Sequence, residues 1–114
     1  MKLAKHDSAI LYDRGQTKVL EYEAINDVDI NICHIKVNGR DPADSYNINT
    51  KSKEMIYVLK GAGKVVSKDG AEIEFEERDV VLIDEGEIYY IEGDFEAAIS
   101  CTPAWTPEQT RKVK

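Results

Sequence analysis

One stretch decides how this chain folds: Ser45-Tyr-Asn-Ile-Asn-Thr-Lys-Ser-Lys-Glu-Met-Ile-Tyr-Val-Leu-Lys-Gly-Ala-Gly-Lys-Val-Val66. It begins with polar residues and continues into an apolar run in which Glu54 and Gly61 enclose six residues, five of them apolar. Alternate residues of a strand face opposite sides, and both sides of this one are apolar, so we expect it to be covered on both. A carboxylate at the head of such a strand favours a site inside a small β-barrel.

The rest of the chain repeats this pattern of short strands separated by turn residues. We count roughly eight to ten strand candidates, with no convincing amphipathic helix between them. Asn38-Gly39, Gly61-Ala-Gly63, Asp69-Gly70 and Glu92-Gly-Asp94 are typical turn signals, so each is expected to end a strand. Many short strands without helices predict an all-β protein, either a sandwich or a closed barrel.

Composition limits the classes of partner. The chain has 114 residues, which favours a single domain, and its net charge is -7. This charge disfavours nucleic acid and anionic membranes, and no apolar run is long enough to span a bilayer. Residues 1–8 lack the apolar core of a signal peptide, so a cytoplasmic protein is expected. Cys33 and Cys101 form no metal-binding or redox motif and are predicted to be reduced, buried thiols.

Residues 28–103 resemble the cupin family of small jelly-roll barrels. Glu54 and Gly61 stand at the spacing that ends the first cupin motif, and Gly86 matches a glycine of the second. The resemblance implies a cupin jelly-roll β-barrel in one domain, of the small conserved-barrel (cupin 2) type. It also implies a homodimer, because small cupins usually dimerise.

The departures from the motifs concern the metal ligands. The resemblance implies that three histidines and a glutamate bind one divalent metal, but here the histidine positions hold Asn47, Asn49 and Tyr89, and only Glu54 remains. Two amides and a phenol are poor ligands for a transition metal, which prefers imidazole or thiolate. We therefore expect no metal and no other cofactor.

The same residues predict a binding site for a small polar molecule. If the cupin frame holds, Asn47, Asn49, Glu54 and Tyr89 converge inside the barrel and offer amide, carboxylate and hydroxyl groups to a sugar or hydroxy acid. His34 is a further candidate, because it is the one histidine predicted to lie in a strand. Each of these residues also has a purely structural explanation, such as a loop cap, a packed aromatic ring or a surface ion pair.

Three functions remain open from the sequence. The first is a metal-free binding module for a small polar ligand. The second is a metal-free isomerase or epimerase, with Glu54 or His34 as the base and Tyr89 as the acid. The third is an atypical metal-dependent cupin enzyme that uses Glu54 with amide oxygens. The sequence gives no sign of a nucleophile at this site.

The segments that flank the barrel are expected to have separate roles. Residues 1–27 contain two strand candidates, 9–12 and 17–24, which are the expected dimer interface. Residues 104–114 form a tail with Trp105, which is expected to pack on the outside of the barrel or at a dimer contact.

Overall fold

The computed structural model describes residues 1–114 and is almost entirely β-structure. Three single-turn 3-10 helices, His6–Ser8, Glu23–Ile25 and Pro107–Gln109, are its only helices. None of them has the length and apolar character needed to span a membrane. The strands are β1 (Ile10–Asp13), β2 (Thr17–Glu21), β3 (Asn31–Asp41), β4 (Tyr46–Asn49), β5 (Lys53–Ser67), β6 (Glu72–Glu76), β7 (Val80–Ile83), β8 (Ile88–Thr102) and β9 (Thr110–Val113).

All nine strands belong to one antiparallel sheet that curls into a barrel. The long strand β8 lies at its centre, with β5 along one edge and β3, then β4, along the other. On the β5 side the sheet continues to β6 and β7, and on the β3 side it continues to β2 and β1. The cupin-type jelly-roll barrel predicted from the sequence is therefore the fold of this chain.

The glycines at the predicted turns lie inside long strands. β3, β5 and β8 pass without interruption through Gly39, Gly63 and Gly93, and these three glycines are aligned side by side across the sheet. A Cβ on Gly93 would lie 2.5 Å from the Ala62 carbonyl oxygen, so the backbones approach too closely for any side chain. The prediction of turns at these three positions is wrong, because the glycines allow the sheet to bend there. Asp69-Gly70 does form a hairpin turn between β5 and β6.

The barrel interior is filled at one end and hollow at the other. The Phe75 and Phe95 rings meet edge to face with their centres 4.9 Å apart, and Val37 and Val58 are fully buried beside them in the core. None of these four side chains lines the large cavity of the barrel. The hollow end contains Glu54, so the site lies on the open side of a packed apolar layer.

Both flanking segments contribute to this sheet. β1 and β2, from residues 1–27, extend it beyond β3, and β9, from residues 104–114, pairs with β4. The tail that was expected to pack on the outside thus supplies a strand, and its Trp105 packs against the core and lines the cavity.

The outer face of β5 is apolar and open to solvent in the single chain. Met55, Tyr57 and Leu59 are each more than 40 % exposed. On the neighbouring strand β7, the exposed Leu82 is paired with Met55, and the exposed Val80 is paired with Tyr57. The expectation that both faces of β5 are covered does not hold within one chain. The homodimer stays a prediction.

Candidate functional site

A cavity of about 1070 Å3 occupies the hollow end of the barrel. Its buried lining residues come from β2, β3, β4, β5 and β8, and the N-terminal and C-terminal segments contribute exposed residues to the lining. Ligand pockets in proteins commonly measure about 300–1,000 Å3. The cavity is thus large enough for a sugar or a molecule of nucleoside size.

Glu54 lies in the cavity wall at the start of β5. The backbone places it there because Glu54, Ile56 and Val58 alternate on the inner face, while Met55 and Tyr57 point outward. Its Oε1 atom accepts a hydrogen bond from Asn49 Nδ2 and a second one, of 3.2 Å, from the Tyr89 hydroxyl. Oε2 accepts no hydrogen bond from the protein, which leaves it for a ligand.

A chain of hydrogen bonds fixes the orientation of Asn49. The Trp105 indole N–H donates to Thr110 Oγ1 over 2.6 Å, and the Thr110 hydroxyl donates to Asn49 Oδ1 over 2.7 Å. Because an indole N–H can only donate, Thr110 must use its own hydrogen toward the amide oxygen. The amide NH2 group of Asn49 is therefore directed at Glu54, and the C-terminal tail helps to hold the carboxylate.

Burial dominates the electrostatics of this group. The loss of solvent raises the pKa of Glu54 above its ordinary value of 4.5, although the hydrogen bonds from Asn49 and Tyr89 oppose the shift. Burial also raises the pKa of Tyr89 well above 10, and the charge of Glu54 adds to the effect. Burial thus favours the neutral form of Glu54, while Tyr89 stays a neutral hydrogen-bond donor.

Two further kinds of side chain face the cavity beside Glu54. Asn47 lines it two residues before Asn49, and its side-chain amide makes no hydrogen bond within the protein, so it is free to bind a ligand. Cys33 and Cys101 also line it as free thiols. Burial raises the pKa of Cys101 to about 12 and also raises that of Cys33, so both remain protonated and poorly nucleophilic.

The residues at the usual metal positions do not fit a divalent cation. No group of three or more His, Cys, Asp or Glu side chains is placed to hold a metal ion. Asn49 turns its N–H group toward Glu54 and its oxygen toward Thr110, so the amide presents a donor where a cation needs an acceptor. A phenol whose pKa is raised by burial is equally unsuited to bind metal.

His34 lies apart from the other four sequence candidates. Its neighbours Cys33 and Ile35 take the inner face of β3, so His34 points to the outer face, where its Nε2 atom is 3.7 Å from Glu96 Oε2. It does not line the cavity. His34 therefore lies outside the cavity that Asn47, Asn49, Glu54 and Tyr89 line, and its role as a ligand-binding residue or base stays a prediction.

The flanking segments also bring residues to the site, and these were not among the candidates predicted from the sequence. Thr17, Val19 and Glu21 of β2 line the cavity, and so do Trp105 and Thr110 from the tail. The alternation of Thr17, Val19 and Glu21 was a usable signal for an inward face. The tail gave no such signal in the sequence, because β9 is short and charged and is defined by its pairing with β4.

The fold and this cavity together define a small cupin-type β-barrel with the buried carboxyl group of Glu54 in the wall of its cavity. No family model matches the sequence, and no curated protein matches it.

Several solved structures share the fold of this chain at low sequence identity. A variant of Streptomyces PAC13 with uridine is 14% identical, with a TM-score of 0.89 over 100% of this chain and 92% of that chain. The polyketide cyclase RemF from Streptomyces resistomycificus is 17% identical, with a TM-score of 0.76 over 100% and 86%. Ectoine synthase from P. lautus is 13% identical, with a TM-score of 0.76 over 100% and 91%. Another PAC13 structure describes that protein as a nucleoside dehydratase.

Proposed function

We propose that this protein binds a small hydroxyl-bearing molecule inside the barrel and transfers protons on it through Glu54, without a metal. The observation that supports this most strongly is the environment of Glu54. A buried carboxyl with a raised pKa, held at Oε1 by two donors and open at Oε2, faces a cavity of ligand size. Enzymes use such tuning to keep a carboxyl active near neutral pH.

The chemistry follows from the protonation of Glu54. As a carboxylate, it removes a proton from a carbon next to a carbonyl, so that the C–H bond breaks, the proton moves to Oε2, and the electron pair enters an enolate. Burial favours the neutral acid that results. That acid then returns the proton either to the former carbonyl carbon of an α-hydroxy substrate, which is isomerisation, or to a hydroxyl on the β-carbon. In the second case the C–O bond breaks as the enolate electron pair forms a C=C bond, and water leaves.

Two neighbours assist this step. Tyr89 donates to Oε1 and stabilises the carboxylate before the proton arrives. Asn47 has an unused amide in the same wall, and its N–H donors can bind the enolate oxygen or a ligand hydroxyl.

The comparison with PAC13 favours elimination of water over isomerisation. That protein is described as a nucleoside dehydratase and has been obtained with uridine. A nucleoside fits the volume of the present cavity. We therefore place sugars and nucleosides that carry a carbonyl beside the reacting carbon first among the candidate substrates.

The test is an NMR assay in heavy water with chelator-treated protein. A panel of carbonyl-bearing sugars, hydroxy acids and oxidised nucleosides is followed for deuterium uptake at carbon and for loss of water. We expect turnover of at least one compound, and we expect Glu54→Gln to slow it by about 10²–10⁴-fold. Glu85→Gln, in the exposed turn after β7, should leave the rate unchanged.

Three results would contradict the proposal. The first is the absence of exchange or elimination with every compound of the panel, and a bound but unreacted ligand would make the barrel a binding module. The second is a Glu54→Gln variant as active as the wild type. The third is activity that disappears with the chelator and returns with a divalent metal.

A further inference from the structure

Asp41, at the end of β3, is a buried carboxylate that accepts no hydrogen bond from the protein. Its side chain is 10 % exposed and lines the cavity. Both carboxylate oxygens keep some accessible surface, so a molecule in the cavity can reach them. A carboxylate has about four lone-pair positions for donors, and burial without any donor is costly. The hydrogen bonds that Asp41 lacks are therefore expected from whatever occupies the cavity.

Arg14 is the one charged partner of Asp41. Its Nη2 atom lies 3.6 Å from Asp41 Oδ2, which is too long for a hydrogen bond. Arg14 also lines the cavity, and its guanidinium donates no hydrogen bond within the protein. Burial and the charge of Glu23 raise the pKa of Glu21 in the cavity wall, whereas the charge of Arg14 lowers it. Arg14 thus directs its charge and its free donors toward the cavity.

The pair of Arg14 and Asp41 belongs to the same wall as Tyr89. Asp41 is aligned with Ile91 of β8, and Tyr89 lies two residues earlier on the same buried face. Burial raises the pKa of Tyr89, and the charges of Glu54 and Asp41 both add to this rise. The cavity that contains Glu54 therefore has a second polar region, in which a free acceptor lies beside a free donor.

The charges of this region limit the ligand group that it can bind. The lining has two basic residues, Arg14 and Lys112, and six acidic ones. The acidic ones are Asp13, Glu21, Glu23, Asp27, Asp41 and Glu54. A cationic group would be repelled by Arg14, and an anionic group by Asp41 and the other acids. A neutral group avoids both penalties when its donor meets the carboxylate and its acceptor meets the guanidinium.

The shapes of the two side chains favour a flat ligand group. Carboxylate and guanidinium are both planar and direct their hydrogen bonds in their own planes. An amide or imide is also planar and carries an N–H group beside a carbonyl oxygen. Tyr12, Tyr22 and Trp105 line the same cavity, and aromatic side chains stack well on planar nitrogen heterocycles.

We propose that Arg14 and Asp41 form a recognition site for a neutral amide or imide group, such as the edge of a nucleobase. Asp41 accepts a hydrogen bond from the N–H group, and Arg14 donates one to the neighbouring carbonyl oxygen. The inference deepens the proposed function, on which it rests for the presence of a ligand in this cavity. It adds the chemical class of that ligand.

Calorimetric titration tests this with three matched pairs of compounds: uridine and N3-methyluridine, inosine and N1-methylinosine, and nicotinamide and N,N-dimethylnicotinamide. In the second compound of each pair, methyl groups replace the N–H hydrogens and the carbonyl oxygen remains. The wild type should bind at least one of the N–H compounds. It should bind that compound about 10–100-fold more tightly than the methylated one, as expected for a hydrogen bond to a charged group.

Asp41→Leu removes the acceptor. It should weaken binding of the N–H compound by about 10–100-fold and abolish the difference within the pair. The Tm of the free variant should be unchanged or higher, because a buried carboxylate without hydrogen bonds has been removed. Asp44→Leu, in the exposed loop after β3 and outside the cavity lining, is the control and should not change binding.

Arg14→Met removes the donor at a residue whose side chain is 53 % exposed, so the fold should tolerate it. Both members of a pair keep the carbonyl oxygen, so both should bind about tenfold more weakly. The preference for the N–H compound should persist, because Asp41 is still present. This pattern, opposite to that of Asp41→Leu, assigns each side chain to its own part of the ligand group.

The outcomes separate this inference from the proposed function. Binding of no N–H compound, equal binding within every pair, or equal binding by Asp41→Leu and the wild type would each overturn the recognition site. Binding of ribose that depends on Asp41, with none of the N–H compounds bound, would assign Asp41 to hydroxyl groups and overturn it as well. Turnover that depends on Glu54 but not on Asp41 would leave the proton-transfer proposal intact. Binding that depends on Asp41, with no turnover of any compound, would support the recognition site and contradict the catalytic proposal.

Discussion

At the scale of single residues, the site depends on the direction of its hydrogen bonds. The donor-only indole of Trp105 sets the orientation of Thr110, which sets that of Asn49, which presents N–H to Glu54. A buried carboxylate next to oriented donors is a preorganised acid–base group. The residues that orient it come from the C-terminal tail, far from Glu54 in sequence.

Thr110→Val should break this chain of hydrogen bonds. The Trp105 N–H and the Asn49 Oδ1 atom would each lose a partner, and we expect a loss of about 1–3 kcal/mol in the free energy of unfolding. Urea denaturation measures this loss. Thr110→Ser should restore most of it, and Thr102→Val, at an exposed end of β8, should change little. A Thr110→Val protein as stable as the wild type would mean that the chain does not hold Asn49.

The sequence indicated most of the polar side chains that line this wall, but not the hydrogen bonds that orient them. Glu54 was found from its place at the head of an apolar strand, and Asn47, Asn49 and Tyr89 from the spacing of the motif. Thr110 was not found, because nothing local marks a short charged strand as a partner for β4. His34 lies on the outer face of β3, which the alternation of that strand already indicated.

At the scale of the strands, glycines decide the shape of the barrel. Gly39, Gly93 and Gly63 form a row across β3, β8 and β5, and they let three long strands bend together. In the sequence the same residues look like turns, since glycine serves both purposes. Only the pairing of distant strands distinguishes a bend within a strand from its end.

Gly93→Ala should therefore be strongly destabilising. Its Cβ would clash with the Ala62 carbonyl oxygen and Gly63 Cα, both in a neighbouring strand, and its φ of +154° adds to the strain. We expect a cost of about 2–4 kcal/mol in urea denaturation. Gly70→Ala is the control, since its φ is +99° but its Cβ would meet nothing within 4 Å, so we expect about 1–2 kcal/mol. Equal costs for the two variants would show that the row of glycines does not constrain the bend.

At the scale of the whole molecule, the barrel interior is packed at one end and hollow at the other. One end is filled by Phe75 and Phe95 with the surrounding valines, and the other encloses a cavity with a buried carboxyl. The fold class was predictable because strand patterns and turn residues suffice for it. The hollow end was not, because a cavity depends on how all the strands curve together.

The buried acid should influence the stability of the entire protein as a function of pH. The pKa of Glu54 is raised in the folded state, so the folded protein binds its proton more tightly than the unfolded chain. The contribution of Glu54 to stability is therefore fully present below the ordinary pKa of 4.5 and is lost as the pH rises through the folded value. Glu54→Gln removes this dependence and keeps the shape of the side chain.

The most direct test is the free energy of unfolding of the wild type and Glu54→Gln, measured by urea denaturation from pH 4 to pH 8, with Glu85→Gln as the control. We predict that Glu54→Gln gains stability relative to the wild type as the pH rises above 4.5, by up to about 1.4 kcal/mol per pH unit, and then levels off. Glu85→Gln should show no such trend. A wild type that keeps pace with Glu54→Gln, or gains on it, as the pH rises would contradict a raised pKa at Glu54 and the proton-transfer site built on it.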